Sequence, residues 1–280
     1  SGEILGQRST TRFVPTWENF MPDIARLHFS LFLDEVGAWL MGVCALVWFL
    51  SSFVGLALAW PSPWSSSRSW KPLLSIRRGG GNYMLNYDLH RMLGFVALPI
   101  LMVVAFTSVY LNLPGLIKPV VQAFSPLATT ADVPSAGHMD LAAPRVPIEQ
   151  VVATARTALP GARVHSVGQD FVKGLYSVRM HLPSDVSPSG SNTLYVRMAD
   201  GQAVFARKLR EASAGNVFLA WQWPLHTGGA FGRIGQCLVL VGAVALVVMS
   251  ITGLNVWRRK RSGERRQLSR EPVAAGECAG

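Results

Sequence analysis

Three long apolar stretches dominate the pattern of hydrophobic and polar positions along the chain. They cover residues 36–60, 92–113 and 234–256, and each holds about 20 or more mostly apolar residues. At a rise of about 1.5 Å per residue, a helix of this length crosses a hydrocarbon core of about 30 Å. The pattern therefore predicts three membrane-spanning helices.

A different pattern lies between the second and third stretches. Residues 114–146 are rich in Pro, Ala and Ser without periodicity, which predicts an extended connector. Residues 147–159 have the apolar spacing of a short amphipathic helix. Four short stretches rich in β-formers follow, at residues 162–167, 175–182, 193–198 and 203–208. Asp200-Gly201 separates the last two as a hairpin turn, so we expect a small α+β domain.

Composition favours a membrane protein, and the placement of charge predicts its orientation. Half of the 280 residues are hydrophobic, and the formal net charge is +10. Basic residues gather in the first connection and after the last stretch, at Arg68, Lys71, Arg77, Arg78, Arg258, Arg259, Lys260, Arg261, Arg265, Arg266 and Arg270. By the positive-inside rule both segments lie in the cytoplasm, which puts the α+β domain outside. The charge then reflects topology, and no nucleic acid is expected as a partner.

Cysteine and nucleotide-binding patterns exclude several other classes of protein. Cys44 and Cys237 lie inside predicted spans and Cys278 lies in the basic tail, so no pair is placed for an extracytoplasmic disulfide. The sequence has no Walker-type phosphate loop, dinucleotide-binding glycine pattern or His-Glu-x-x-His zinc motif. A soluble nicotinamide or flavin domain is therefore not predicted. For any redox chemistry, the electron donor would have to come from outside this chain.

A Leu-His pair lies close to the N-terminal end of each apolar stretch. The pairs are Leu27-His28, Leu89-His90 and Leu225-His226. Ionisable groups are rare in spanning helices, and neutral imidazole is a standard axial ligand of haem iron. The sequence therefore predicts haem in the membrane with His28, His90 and His226 as iron ligands. A single interfacial histidine is also explained as an amphipathic residue whose polar tip stays in water.

Two of these segments repeat one another in register. Gly55 follows His28 by 27 positions (55 − 28), and Gly253 follows His226 by 27 (253 − 226). We expect His28 and His226 to begin helices that run in the same direction and to hold one haem between them at the outer headgroup level. His90 begins the oppositely directed helix, which places a second, inner haem near the cytoplasmic face without a visible second ligand.

Arginines near the histidines extend the predicted site. Arg26, Arg91 and Arg233 have guanidinium groups that suit haem propionates, while reaching lipid phosphate is the alternative explanation. The other histidines, His138, His165 and His181, lack metal-ligand spacing and are expected at the surface.

Glycines near the histidines have two explanations. Gly94, Gly228, Gly229 and Gly232 remove side chains where a flat macrocycle needs close approach to the backbone. Close packing between helices is the alternative for Gly228, Gly229 and Gly232, because small residues serve it equally well.

Four sequence elements carry a resemblance to a known family. They are residues 25–32 (ARLHFSLF), 88–94 (DLHRMLG), 224–232 (PLHTGGAFG) and 252–254 (TGL). With these elements the chain resembles the PepSY-associated transmembrane helix family, and its α+β segment resembles a PepSY domain. The family's first spanning helix, which carries its own His, has no counterpart here, and residues 1–6 resemble the last hairpin of a preceding PepSY-like segment. Three spans also put Ser1 outside, so we expect that a preceding helix is absent from this sequence.

The resemblance implies a function. Characterised relatives include inner-membrane ferric-siderophore reductases that contain b-type haem. The chain is accordingly expected to bind one or two haem b groups and to pass electrons from an unknown cytoplasmic donor to a ferric siderophore or another extracytoplasmic acceptor in iron uptake. The alternative is a non-catalytic, membrane-anchored PepSY module that binds or regulates an extracytoplasmic protein. An accessory subunit of an iron-uptake transporter is a third hypothesis.

The expected fold is a mainly α protein of the bacterial inner membrane, with three transmembrane helices, an extracytoplasmic α+β PepSY-like domain and a cytoplasmic C-terminus. The segments are 1–27, the N-terminal extracytoplasmic end of a preceding PepSY-like region; 28–60, a transmembrane helix; 61–88, a basic cytoplasmic loop; 89–113, a transmembrane helix; 114–146, the connector; 147–212, the PepSY-like domain; 213–257, an interfacial segment and transmembrane helix; and 258–280, a basic cytoplasmic tail.

Overall fold

A computed structural model describes residues 9, 12–60, 71–77, 79–129 and 132–268 of the chain. The chain divides into two compact units, one formed by Ser1–Leu46 and Val104–Cys237 and the other by Val47–Val103 and Leu238–Gly280. The expectations for residues 1–6, Arg68, Arg78, Arg270 and Cys278 fall outside the described residues.

The described residues form seven α-helices and one sheet. The helices are α1 (Phe20–Ser30), α2 (Asp34–Ala59), α3 (Gly81–Asn112), α4 (Pro114–Phe124), α5 (Ile148–Ala158), α6 (Ala214–His226) and α7 (Gly232–Leu268). The strands are β1 (Arg163–Asp170), β2 (Leu175–His181), β3 (Asn192–Arg197) and β4 (Ala203–Arg207).

Three of the helices are long and apolar enough to cross a membrane. The candidate spans cover Asp34–Leu58 in α2, Gly81–Asn112 in α3 and Gly229–Gly263, which includes most of α7. Large apolar side chains on them point outward, such as Leu58 with 83% of its surface exposed, as expected for helices surrounded by lipid. The predicted mainly α fold with three spans is confirmed, and Cys44 and Cys237 lie in α2 and α7 as expected.

Small residues line the contact between α3 and α7. In the unit formed by Val47–Val103 and Leu238–Gly280, the buried side chains of Ala97, Leu101 and Ala245 form a core against which Trp48 packs. A Cβ at Gly242 would lie 3.2 Å from the Ile100 side chain. Small residues let helix backbones approach closely where water supplies no hydrophobic driving force.

The predicted α+β domain is present. Its sheet is antiparallel in the order β1-β2-β3-β4, and α5 packs on one face of it around the buried core residues Val151, Ala155, Tyr176, Val178, Met180, Leu194, Val196 and Met198. The predicted hairpin turn joins β3 to β4, where Gly201 adopts a φ of 74° that glycine tolerates without strain. His138 and His165 are exposed and His181 is half-buried.

The expectation of an extended connector over residues 114–146 is wrong in its first third, where α4 forms. Pro114 occupies the first turn of α4, where its missing N–H costs nothing. Apolar residues such as Leu116, Val120 and Phe124 recur at intervals of four, which is a helical spacing obscured by the surrounding Pro and Ala. Later in the connector, Ala136 and Met139 donate backbone hydrogen bonds to Lys173 and Phe171, which attach it to the α+β domain.

An elbow of left-handed backbone joins α1 to α2. Leu31, Phe32 and Asp34 have φ of 53°, 60° and 47°, a region that costs a non-glycine residue about 1–2 kcal/mol. Beyond the elbow, Gly37 lies against the carbonyl oxygen of Ser30, and a Cβ at position 37 would overlap that oxygen. Glycine at position 37 is therefore what lets α2 pack on the end of α1.

Gly37→Ala is expected to force α1 away from α2 and to lower the free energy of unfolding by about 1–3 kcal/mol, the usual cost of overpacking. Gly55→Ala in the same helix is the control, since a Cβ there would have no neighbour within 4 Å. Thermal unfolding of the detergent-solubilised proteins compares the two. A melting temperature of Gly37→Ala at or above that of Gly55→Ala would contradict the close contact.

Candidate functional site

The structure brings His28 and His226 together. His28 lies in the last turn of α1, and His226 is the last residue of α6. The centres of the two imidazole rings are 6.1 Å apart, and the ring planes are tilted by 41°. We call this pair, with the residues that contact it, the paired-histidine site.

The expectation that these two histidines begin spanning helices is wrong. Each lies in the last turn of a short helix, and the next α-helix starts six residues later, at Asp34 (34 − 28) and Gly232 (232 − 226). The repeated unit is therefore a short helix with His in its last turn, a connecting turn and a spanning helix. The turn after His226 contains Gly228 with a φ of 74°, whereas the elbow after His28 has no glycine at its left-handed positions and so carries no recognisable turn signal.

Hydrogen bonds determine which nitrogen of His226 carries the proton. The hydroxyl of Thr107, on α3, donates its single hydrogen to the carbonyl oxygen of Val104 at 2.9 Å. The same oxygen lies 3.1 Å from Nδ1 of His226, and with its own hydrogen on Val104 it accepts the hydrogen of that nitrogen. The other ring nitrogen, Nε2, is left with a lone pair, as in the tautomer that binds metals through Nε2.

The surroundings of His226 also favour its neutral form. Burial lowers the pKa of His226 below its ordinary value of 6.5, and the neighbouring His28 acts in the same direction, while the Val104 carbonyl opposes both. Neutral imidazole is the form that coordinates a metal ion. His226 is therefore both the right tautomer and the right protonation state for a ligand at neutral pH.

Two buried polar atoms on the helices that carry the pair lack hydrogen-bond partners among the described residues. One is Nη1 of Arg26, and the other is Oε1 of Gln222, one helical turn before His226. The remaining contacts of Arg26 are weak, since Nη2 lies 3.4 Å from Asp34 Oδ1 and the guanidinium lies 5.5 Å from the centre of the Phe32 ring. Unpaired buried groups are uncommon in folded proteins and often mark a site for a ligand, an ion or water. Sequence reasoning singled out Arg26 but missed Gln222 and Thr107.

The glycines predicted beside His226 have packing partners in the structure. A Cβ at Gly228 would overlap the carbonyl oxygen of Gly235, and a Cβ at Gly229 would lie 3.1 Å from the side chain of Pro188. Gly232 has open space around it but a φ of 59°. These contacts account for the glycines as packing and turn residues, and a role beside a cofactor stays a prediction. Arg233 is exposed at the start of α7.

His90 lines a separate cavity of about 700 Å³ in the unit formed by Val47–Val103 and Leu238–Gly280. Its Nδ1 lies 2.9 Å from the carbonyl oxygen of Met249. A carbonyl only accepts, so Nδ1 carries the hydrogen and Nε2 has the lone pair, as in His226. We call this space the His90 cavity.

Three of the described glycines line the His90 cavity. The predicted Gly94 lines it together with Gly55 and Gly253, which in the sequence served only to mark the 27-residue repeat. A Cβ at Gly253 would lie 2.9 Å from Cε1 of His90, whereas a Cβ at Gly55 would meet nothing within 4 Å. Each copy of the 27-residue repeat therefore has its histidine in the paired-histidine site and its glycine in the wall of the His90 cavity.

A buried carboxylate anchors the arginines beside His90. Asp88 is fully buried and accepts hydrogen bonds from Nε, Nη2 and the backbone N–H of Arg77. Arg91 lies 3.1 Å from the same carboxylate and also donates to the carbonyl of Ser75, while its Nε is buried without a partner among the described residues. Asp88 thus holds the segment before α3 in place and orients Arg91, which lines the cavity.

Comparison with known proteins supports the resemblance noted in the sequence. A search of curated proteins gave no match. The model of one family, described as the PepSY-associated TM region, matches residues 1–260. With three apolar helices of spanning length, the chain is a multi-pass membrane protein that contacts the lipid bilayer, and it belongs to the PepSY-associated TM region family.

Proposed function

We propose that this protein is a haem-b oxidoreductase of the bacterial inner membrane, and that it passes electrons to ferric iron held in an extracytoplasmic siderophore. The observation that carries the proposal is the 6.1 Å between the ring centres of His28 and His226. A bond from a transition metal to imidazole nitrogen is about 2 Å long, and the ring centre lies about 1 Å beyond that nitrogen. Two imidazoles on opposite sides of one metal therefore have centres about 6 Å apart.

The residues around the pair also fit haem. Thr107 leaves Nε2 of His226 available, and burial together with His28 favours the neutral ring. Arg26, on the same helix as His28, has an unpaired Nη1 that suits a propionate, because guanidinium binds carboxylate with paired donors. Haem bound here would supply a one-electron Fe(III)/Fe(II) couple, whose potential the axial ligands and their surroundings adjust.

The His90 cavity fits a second haem b. Its volume of about 700 Å³ lies within the range of about 300–1,000 Å³ for small-molecule and cofactor sites. His90 offers Nε2 as a ligand, and Arg91 offers an unpaired buried N–H. Gly55, where a Cβ would meet nothing within 4 Å, leaves space for a flat ring, whereas Gly94 and Gly253 make room for Met249 and for His90 itself. A histidine with an oriented ring, an arginine with an unpaired N–H and a glycine beside open space are residues that could hold a haem here.

A ferric-reduction assay tests the proposed function. The full-length chain, loaded with haem b, is reconstituted in vesicles that enclose dithionite, while a ferric siderophore and a chromogenic Fe(II) chelator are supplied outside. We expect Fe(II) to appear faster than with vesicles that hold the haem-free protein. Equal rates would contradict the reductase and favour the second candidate, a non-catalytic PepSY module, which the independent core of the α+β domain supports.

Acidification is expected to remove the contribution of His226 to haem binding. The pKa of His226 is lowered from 6.5, so its Nε2 keeps the lone pair above that value and takes up a proton only as the pH falls further. The stability that comes from burying the neutral ring is likewise complete above 6.5 and is lost on the acid side of it. An absorption titration of the haem-loaded protein checks this, and a loss of the six-coordinate spectrum with a midpoint at or above 6.5 would contradict it.

A further inference from the structure

The short helix α1 has its polar and apolar faces reversed relative to a helix of a water-soluble protein. Its inner side carries polar residues, with Asp23 only 7% and Ser30 only 1% exposed. Asn19, just before the helix, and Arg26 belong to the same side. The positions 19, 23, 26 and 30 follow the i, i+4, i+7, i+11 spacing of one helical face.

The opposite face of α1 is apolar and exposed. It carries Phe20, Met21, Ile24 and Leu27, and Trp17, in the 3-10 turn just before α1, extends it. The exposed fractions reach 85% for Trp17 and 69% for Met21. The rings of Trp17 and Phe20 stack with centres 5.7 Å apart. These residues also recur every three or four positions, so they form one continuous stripe, which we call the apolar face of α1.

This arrangement is favoured only where the surroundings of the helix are themselves apolar. In water, burying the apolar face and exposing the polar one would be favourable by about 25 cal/mol per Å² of apolar surface. Large exposed apolar patches mark contacts with membranes or with other proteins. The chain that follows the patch favours a membrane over another protein. α1 leads through Leu31 and Leu33, both exposed, into the candidate span that begins at Asp34.

We propose that the apolar face of α1 lies in the interface between headgroups and acyl chains of the bilayer that α2 crosses. The helix has 11 residues and is about 16 Å long, too short to span a core of about 30 Å. An amphipathic helix in this position lies along the membrane surface with its apolar side buried about 5–10 Å. The tryptophan at its start is typical of interfacial anchors.

The placement of α1 has a consequence for the paired-histidine site. His28 is exposed and lies one turn after Ile24, on the same side of α1 as the apolar face. The ring of His28 is therefore held at the depth of the lipid headgroups. This inference rests on α1 and on the span that follows it, and it holds whether or not haem is bound.

Spin-label accessibility in vesicles tests the placement. Single cysteines replace Met21, Ile24 or Leu27 in the full-length chain with the native cysteines removed, and the labelled proteins are reconstituted in phosphatidylethanolamine–phosphatidylglycerol vesicles. Val47→Cys, exposed in the α2 span, is the lipid reference, and Ser166→Cys, exposed on β1, is the aqueous reference. We expect the three α1 labels to collide more with oxygen than with a water-soluble nickel complex, as the Val47 label does.

Two outcomes would overturn the proposal. Nickel collisions as frequent as those of the Ser166 label would place the apolar face in water. Low collision rates with both reagents, together with dipolar broadening between labels on different chains, would assign the face to a second copy of the protein. Using three positions keeps the result independent of any one substitution that disturbs the fold.

Discussion

Alanine at either His28 or His226 is expected to lower the rate of Fe(II) production by more than about tenfold. Loss of a hydrogen-bond partner of a metal ligand already costs about tenfold or more, and loss of the ligand itself should cost more. Each substitution removes one of two imidazoles whose ring centres are 6.1 Å apart, so a haem iron bound between them would lose a strong-field ligand in both variants. The double variant should be little slower than either single variant, because residues that act as one unit are not additive. The vesicle assay described above measures all three.

Two further variants make this prediction specific. His165→Ala is the matched control, since it removes an exposed histidine of β1 and should leave the rate unchanged. Thr107→Val keeps the shape of the side chain but removes the acceptor for the Nδ1 hydrogen of His226. We expect it to weaken haem binding by about 10–100-fold, the usual effect of such partners. Undiminished rates and spectra in His28→Ala and His226→Ala would contradict the assignment of this pair.

Gly55→Leu is expected to lower the haem content of the protein by filling the His90 cavity. Gly55 lines that cavity, and a Cβ there would meet nothing within 4 Å, so the haem-free protein should accept leucine without loss of stability. Leucine would then occupy space that haem needs. The haem-to-protein ratio and the melting temperature of the haem-free protein are the two measurements.

Gly263→Leu is the matched control for the cavity variant. Gly263 is also helical, has open space around its Cβ and lies outside the cavity lining. Its haem content should equal that of the unsubstituted protein. Equal haem contents for Gly55→Leu and Gly263→Leu would remove the His90 cavity from the haem sites.

The spans and the α+β domain could be predicted from the sequence because their signals are local. Twenty or so apolar residues in a row indicate a span wherever they occur, and the alternation in β2 and β3 is visible within each strand. The elbow between α1 and α2 could not, because Leu31 and Phe32 adopt left-handed backbone that non-glycine residues rarely adopt. The two residues lie between Ser30 and Leu33, which both pack against Gly37, so contacts beyond the elbow, not local preference, favour this backbone.

The candidate site was predictable in part, through the spacing of its histidines. The 27-residue repeat correctly paired His28 with His226, although the structure places both at helix ends. The partners that orient the rings lie far away along the chain: Thr107 is 119 residues from His226, and Met249 is 159 residues from His90. No local pattern reveals such contacts, so the tautomers and the His90 cavity depend on the folded structure.

The most direct test of haem binding by the paired histidines is the absorption spectrum of the purified, detergent-solubilised protein, recorded oxidised and after reduction with dithionite. We predict a six-coordinate b-type haem spectrum, confirmed as haem b by its pyridine haemochrome, that changes in His28→Ala and His226→Ala and persists in His165→Ala. A protein that binds no haem, or whose spectrum is the same in all three variants, would contradict the account.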